Sequence, residues 1–167
     1  MLKKGPLLVL GGINMDFVVR VKTFPKPGET LLGHDFRKIP GGKGAGQAAA
    51  IARLGGEVIL GGAVGDDSLG KELRNDLEKE RVSTDYVIVA ERGHTGVALI
   101  IVTEDGENSI VLDPGANMEF SPERALRLKE ILPGVGIVLA NLEVPLETID
   151  FIFAEARKHK ILTVLDA

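Results

Sequence analysis

Short apolar runs that alternate with segments of helical period constrain the fold of this chain more than any other feature. Five runs rich in Val, Ile and Leu are typical of strands buried on both faces: 7–11, 57–62, 85–90, 136–141 and 161–166. Helix formers with apolar residues three or four apart predict helices between them at 43–54, 67–80, 121–132 and 145–158. Strands and helices in this order predict an α/β fold with a doubly wound, mainly parallel sheet.

Two pairs of segments depart from the alternation and predict hairpins. Residues 16–24 pair with 29–39 through the turn PKPG, and residues 95–103 pair with 108–113 through the turn EDGE. We expect these strands, at about 16–39 and 95–113, to form a small β lid within one domain. Ligands of open parallel sheets bind at the carboxyl ends of the strands, so the lid would close over the site.

Charge and composition exclude several classes of protein. The net charge of −4 and the scattered lysines and arginines give no basic surface for nucleic acid. The chain has no cysteine, and its three histidines share no ligand spacing, so the sequence predicts no metal site. The first apolar run is too short for a membrane anchor. We expect a cytoplasmic protein without nucleic-acid or membrane partners.

The glycine-rich stretch GGKGAG, residues 41–46, raises the question of a nucleotide site. A P-loop fails here, because Gly44 stands where Ser or Thr is needed and Arg37 stands at the first glycine position. A dinucleotide fingerprint fails too, because this stretch follows a hairpin rather than a buried strand. Two readings remain: a plain turn packed on a small-residue helix, or bare backbone amides that, with Lys43, hold a hydroxyl-rich or anionic ligand.

Longer ordered blocks carry a family resemblance over essentially the whole chain. The blocks are GGINMDFVVRVKTFPKPGETLLGHDFRKIPGGKGAGQAAAIARLGG, GAVGDDSLGKEL, TGVALIIVTEDGENSIVLDPGAN and NLEVPLET. Together they resemble the amino-terminal signature of the ribokinase-like carbohydrate kinases, the PfkB family, with its ribokinase branch the most similar. The resemblance implies a ribokinase-like fold and ATP-dependent phosphorylation of a sugar hydroxyl, converting D-ribose to ribose 5-phosphate.

The same resemblance implies the site residues. Asn14 and Asp16 would bind sugar hydroxyls, with Gly42, Lys43 and Glu143 on the same ligand. Carboxylates and amide donors suit a polyol, because each hydroxyl both donates and accepts. Each residue also has a plainer interpretation: Asp16 and Asn14 could satisfy the turn after the first strand, Glu143 could lie at a helix start, and Lys43 could be solvated.

Two departures from the family pattern bear on function. Gly46 stands where ribokinases commonly have an asparagine, so one hydrogen bond worth ~0.5–1.5 kcal/mol is lost. The ligand is therefore left open among a pentose, a nucleoside and another furanose-like compound. The family's later glycine-rich block, with its catalytic aspartate, has no counterpart in residues 1–167, so we expect no catalytic residue in this chain. The base aspartate would lie beyond Ala167, and most of the sites for ATP, Mg²⁺ and a monovalent cation would lie outside the chain.

Two classes of function follow from these expectations. The chain is either the sugar-binding half of a carbohydrate kinase, inactive alone, or a catalytically inactive truncated module that binds a sugar or nucleoside. A nucleotide-binding Rossmann domain is a weaker third reading because both fingerprints fail. We further expect a homodimer formed through the lid, and an unpaired apolar edge at strand 161–166 that invites pairing with another chain.

Overall fold

The fold, taken from a computed structural model that describes residues 4–167, contains two sheets with helices around the larger one. The strands are β1 (Leu7–Leu10), β2 (Asn14–Val21), β3 (His34–Gly41), β4 (Val58–Gly65), β5 (Ser83–Ala90), β6 (Gly96–Thr103), β7 (Asn108–Asp113), β8 (Ile137–Asn141) and β9 (Leu162–Asp166). The α-helices are α1 (Lys43–Arg53), α2 (Ser68–Lys79), α3 (Leu128–Ile131) and α4 (Leu146–Lys158), and short 3₁₀ helices span Gly115–Glu119 and Leu132–Gly134. None of the helices in this described part has the length and apolar character needed to span a membrane.

The main sheet has the strand order β5-β4-β1-β8-β9, and every neighbouring pair is parallel. Successive side chains of a strand point to opposite faces, so Leu8 and Leu10 of β1 lie on one face and Val9 on the other. Leu8 and Leu10 belong to an apolar cluster with Ile152 of α4, and Val9 belongs to a second cluster with Leu73 of α2. The predicted doubly wound parallel sheet is thereby confirmed.

The second sheet has the strand order β3-β2-β6-β7. Strands β2 and β3 are antiparallel, β2 and β6 are parallel, and β6 and β7 are antiparallel. The register places Asp16 opposite Ala98, and Ala98 opposite Leu112, so these residues share one face of the sheet. Phe17, Leu99 and Val111 share the other face by the same pairing.

The predicted helix at 121–132 is wrong over most of its length. Residues 122–127 form successive turns, and α3 itself covers only Leu128–Ile131. Most of these turns are closed by bonds between residues three apart, such as the Leu128 amide donating to the Ala125 carbonyl at 2.9 Å. This tighter winding buries both Ala125 and Leu128, three residues apart, which an apolar pattern alone does not distinguish from an α-helix.

Candidate functional site

The glycine-rich turn begins helix α1 against the connection between β1 and β2. Gly42 has a φ of +91°, in the region that favours glycine, and a side chain there would collide with the carbonyl oxygen of Gly12. The Ala45 amide donates to that same Gly12 oxygen at 3.1 Å. The turn is therefore bare because two backbone segments meet there, and this contact places the start of α1 beside the first residues of β2.

Glu143 reaches this helix start from the segment between β8 and α4. Its Oε2 accepts a hydrogen bond from the Lys43 backbone amide at 2.8 Å, and its Oε1 lies 3.7 Å from the Lys43 Nζ. Gly12 leaves room for the carboxylate, since a side chain on Gly12 would collide with it. A carboxylate that binds a free amide in the first turn is stabilised by the partial positive charge of the helix N-terminus.

Asp16 and Asn14 project from the beginning of β2 toward Glu143. The Asn14 Nδ2 lies 3.5 Å from the Glu143 Oε2, at the outer limit of a hydrogen bond. Burial, and secondly the charge of Glu143, raise the pKa of the Asp16 carboxyl. Gly41 packs directly against this carboxyl without a side chain. The site thus holds the carboxylates of Asp16 and Glu143 close enough for their charges to interact. The Asn14 amide and the Lys43 ammonium group both lie beside Glu143.

One cavity of about 370 Å³ brings all five predicted residues together. Its lining consists of Asn14, Asp16, Gly42, Lys43 and Glu143, together with Ala98, Ile100, Ile110 and Leu112. The polar groups come from three segments at the carboxyl-end edge of the main sheet, and the apolar wall comes from strands β6 and β7. A cavity of this size with few convergent polar groups on an apolar wall is typical of small-molecule sites.

Gly46 lies outside the cavity that the five predicted residues line. It lines a separate cavity of about 350 Å³ between α1 and α2, together with Ala49 and Leu73. A Cβ at Gly46 would have open space around it, with no heavy atom within 4 Å. Our expectation that Gly46, in place of an asparagine, changes which ligand binds therefore stays a prediction.

Asn117 is a residue of the site that sequence reasoning missed. It lies in the 3₁₀ helix after β7, is almost fully buried, and its Nδ2 donates to the Asn14 Oδ1 at 2.7 Å. It is separated from Asn14 by about a hundred positions, so no local pattern connects the two. The one available signal was the stretch DPGAN, in which a polar residue follows a tight proline and glycine turn.

A second missed network supports the Glu143 loop. The fully buried Asn141 donates from Nδ2 to the Gln47 Oε1 at 3.2 Å, and its Oδ1 accepts from the Glu143 amide at 3.3 Å. Gln47 in turn donates to Asp166 at 2.8 Å. These contacts join the ends of β8 and β9 to helix α1, which fixes the position from which Glu143 reaches the cavity.

Comparison with known proteins identifies the class of this fold and site. Residues 5–167 match the description pfkB family carbohydrate kinase. A ribokinase of Bacillus subtilis (strain 168) is 42% identical over 160 residues, covering 96% of this chain and 54% of the relative. A deoxyribokinase of Salmonella typhimurium is 36% identical over 160 residues, covering 96% of this chain and 52% of the relative.

Solved structures agree with this family. The Arabidopsis thaliana ribokinase complexed with ribose and ATP has a TM-score of 0.88 and 34% identity, covering 98% of this chain and 53% of that one. A protein described as Sa239 has a TM-score of 0.93 and 33% identity, covering 98% of this chain and 55% of that one. This chain belongs to the pfkB family of carbohydrate kinases. It spans about half the length of the curated relatives that it matches.

Proposed function

We propose that this chain is the sugar-binding half of an ATP-dependent carbohydrate kinase that phosphorylates a hydroxyl of a pentose such as D-ribose. The observation that carries the proposal is the convergence of Asn14, Asp16, Gly42, Lys43 and Glu143 on one cavity. The similarity to ribokinases over 96% of the chain supports the choice of a pentose.

The chemistry of the cavity suits a sugar. The carboxylates of Asp16 and Glu143 accept hydrogen bonds from hydroxyls, while the Lys43 ammonium donates to hydroxyl oxygens. The apolar wall formed by Ala98, Ile100 and other side chains of the second sheet would pack on the carbon face of the ring and exclude water. In this proposal the second sheet acts as a lid over the sugar.

The phosphoryl donor is the part of the proposal that this chain does not provide. ATP supplies the phosphoryl group that the sugar hydroxyl receives. Within residues 4–167, no group of three or more acidic or histidine side chains is arranged to hold a metal ion. We propose that most contacts to Mg²⁺ and to a monovalent cation lie in the rest of the family's length. We place the catalytic aspartate and most ATP contacts in the half of the family's length that this chain does not cover, supplied in cis or in trans.

The second sheet has exposed apolar side chains on its outer face, the face opposite to the cavity wall. Phe36, Leu99 and Val111 are each more than half exposed, although they are large apolar side chains. Exposed apolar surface of this kind marks protein interfaces, so we propose that the chain forms a homodimer through the lid. As a separate part of the proposal, we place the protein in the cytoplasm.

Titration of the 167-residue chain with D-ribose tests the sugar site. We expect the wild type to bind and Asp16→Asn to lose at least about tenfold in affinity, because hydrogen bonds to a charged group contribute roughly 1.5–3 kcal/mol. Asp150→Asn, on the exposed side of α4, is the matched control and should bind like the wild type.

Three outcomes would contradict the proposal. Absence of ribose binding by a chain with native circular dichroism would remove the sugar site, and unchanged binding by Asp16→Asn would remove Asp16 from it. Transfer of phosphate from ATP to ribose by the chain alone would contradict the placement of the catalytic aspartate outside residues 1–167.

A further inference from the structure

Asn117 does not line the cavity itself, but it contacts the lining residue Asn14 and is hydrogen-bonded on every polar atom of its side chain. Its Oδ1 accepts from the Ile13 backbone amide at 2.9 Å. Its Nδ2 faces three acceptors: the Asn14 Oδ1 at 2.7 Å, the Pro114 carbonyl at 3.0 Å and the Ile13 carbonyl at 3.3 Å. The side chain is 1% exposed, so water does not compete for these bonds.

These contacts determine which way both side-chain amides point. A backbone N–H can only donate, so the Asn117 atom that faces the Ile13 amide must be the oxygen, and the other atom must be the NH₂ group. That NH₂ group faces Asn14, and it requires an acceptor there, which fixes the Asn14 Oδ1 toward Asn117. The Asn14 NH₂ group is therefore turned the other way, toward the Glu143 carboxylate and the cavity.

We infer that Asn117 is a positioning residue that makes Asn14 a hydrogen-bond donor, and not an acceptor, toward the ligand. The inference rests on the proposed sugar site and deepens it. Gly96 permits the arrangement, because a side chain on Gly96 would collide with both amides. Without Asn117, the Asn14 amide could rotate by half a turn and present its oxygen to the cavity at no cost in space.

The polarity of Asn14 decides what kind of group can bind between the two carboxylates. Asp16 and Glu143 accept hydrogen bonds when ionised, and the Asn14 NH₂ group donates between them. A hydroxyl that accepts from Asn14 and donates its own proton to a carboxylate satisfies the whole set. A rotated Asn14 would place a third acceptor beside two carboxylates, and the hydroxyl oxygen would lose the donor that Asn14 provides. The arrangement therefore selects a hydroxyl group at this position.

Hydrogen exchange in the ligand-free chain tests the orientation without any assumption about the sugar. We expect the side-chain NH₂ protons of Asn117 to exchange slowly with solvent, because they are buried and face three acceptors. Those of Asn14 should exchange faster, because their one partner is the Glu143 carboxylate at 3.5 Å on the cavity side. Asn14 protons that exchange as slowly as those of Asn117, or more slowly, would overturn the inference. This NMR measurement separates the two proposals, since failure of ribose binding in the wild type would overturn the sugar site alone.

Ribose titration then tests the positioning role. Asn117→Leu has nearly the same shape and removes the donor to Asn14 without burying a charge, so we expect a loss in affinity of about tenfold. In an Asn14→Ala background the same substitution should change affinity less than about twofold, because the residue that it positions is gone. Equal losses in both backgrounds would show a merely structural role and overturn the inference. Asn75→Leu, exposed on α2, controls for the loss of an amide and should leave affinity unchanged.

Discussion

The two sheets of this chain differ in how much of their surface is buried. In the inner strand β1 of the main sheet the side chains from Leu8 to Leu10 are fully buried, whereas in the inner strand β6 of the second sheet Leu99 is 54% exposed and Ile100 is only partly buried. The edge strands β9 and β7 are both largely exposed. Burial of apolar surface is the dominant stabilising contribution to folding. The main sheet therefore carries the stability of the fold, while the second sheet contributes a wall to the cavity and leaves its other face open.

The candidate site lies where the two sheets meet. Asp67 at the start of α2 accepts hydrogen bonds from the amide and hydroxyl of Thr95, at 2.8 and 2.7 Å, just before β6 begins. Asn117 holds the connection between β1 and β2, and Gly42 joins β3 to α1. Asn117 and Gly42 thus fix the β1–β2 connection and the start of α1 beside the cavity, which lies between the two sheets.

The largest expected effect contrasts the same substitution in the two sheets. Leu10→Ala in β1 should lower the free energy of unfolding by about 3 kcal/mol, because it empties space in a closely packed core. Leu99→Ala in β6 removes a side chain that is 54% exposed and should cost about 1 kcal/mol or less. Urea unfolding of both variants measures the difference. Similar costs would mean that the second sheet is as much a part of the core as the first.

The next effect compares two glycines of the same turn and helix. Gly42→Ala should lower the free energy of unfolding by about 2 kcal/mol and abolish ribose binding, since the positive φ and the Gly12 carbonyl both oppose a side chain. Gly46→Ala places a methyl group in open space within α1 and should raise stability by about 0.5 kcal/mol. Thermal unfolding with ribose titration measures both. If Gly42→Ala keeps the stability and ribose affinity of the wild type, the close contact between the start of α1 and the β1–β2 connection does not depend on a glycine at this position.

The smallest effect concerns the pH dependence of stability. The raised pKa of Asp16 means that the folded chain holds this proton more tightly than the unfolded chain does. Stability is therefore lost as pH rises from the ordinary aspartate range through the raised value, where the buried carboxyl ionises. Asp16→Asn should match the wild type at low pH and exceed it at neutral pH by under about 1 kcal/mol, because solvent partly screens a carboxyl that is only partly buried.

Unfolding of Asp16→Asn and wild type across this pH range measures the difference, with Asp150→Asn as the control. A variant less stable than the wild type at neutral pH would contradict the assignment of a destabilising carboxylate to the site. The expected combination, a gain in stability with a loss of binding, would mark Asp16 as a residue retained for function.

Much of the architecture could be predicted because it depends on local patterns. The strands of the main sheet follow from apolar runs, and the pairing of β2 with β3 follows from the turn between them. The segment 121–132 could not be predicted in detail, since its bonds between residues three apart give almost the same burial pattern as an α-helix. The meeting of all five candidate residues on one cavity was expected from the family resemblance, and their roles toward a ligand remain predictions.

The sequence by itself determined the order of strands and helices and the bare glycine turn, because these depend on side-chain period and on backbone freedom within a few residues. Only the tertiary structure decided that Asn117 orients Asn14 and that Asn141 holds the Glu143 loop. These pairs are brought together by the crossing of strands far apart in the chain. Hydrogen bonds across such separations leave no period in the sequence, so their partners become visible only when the sheets are assembled.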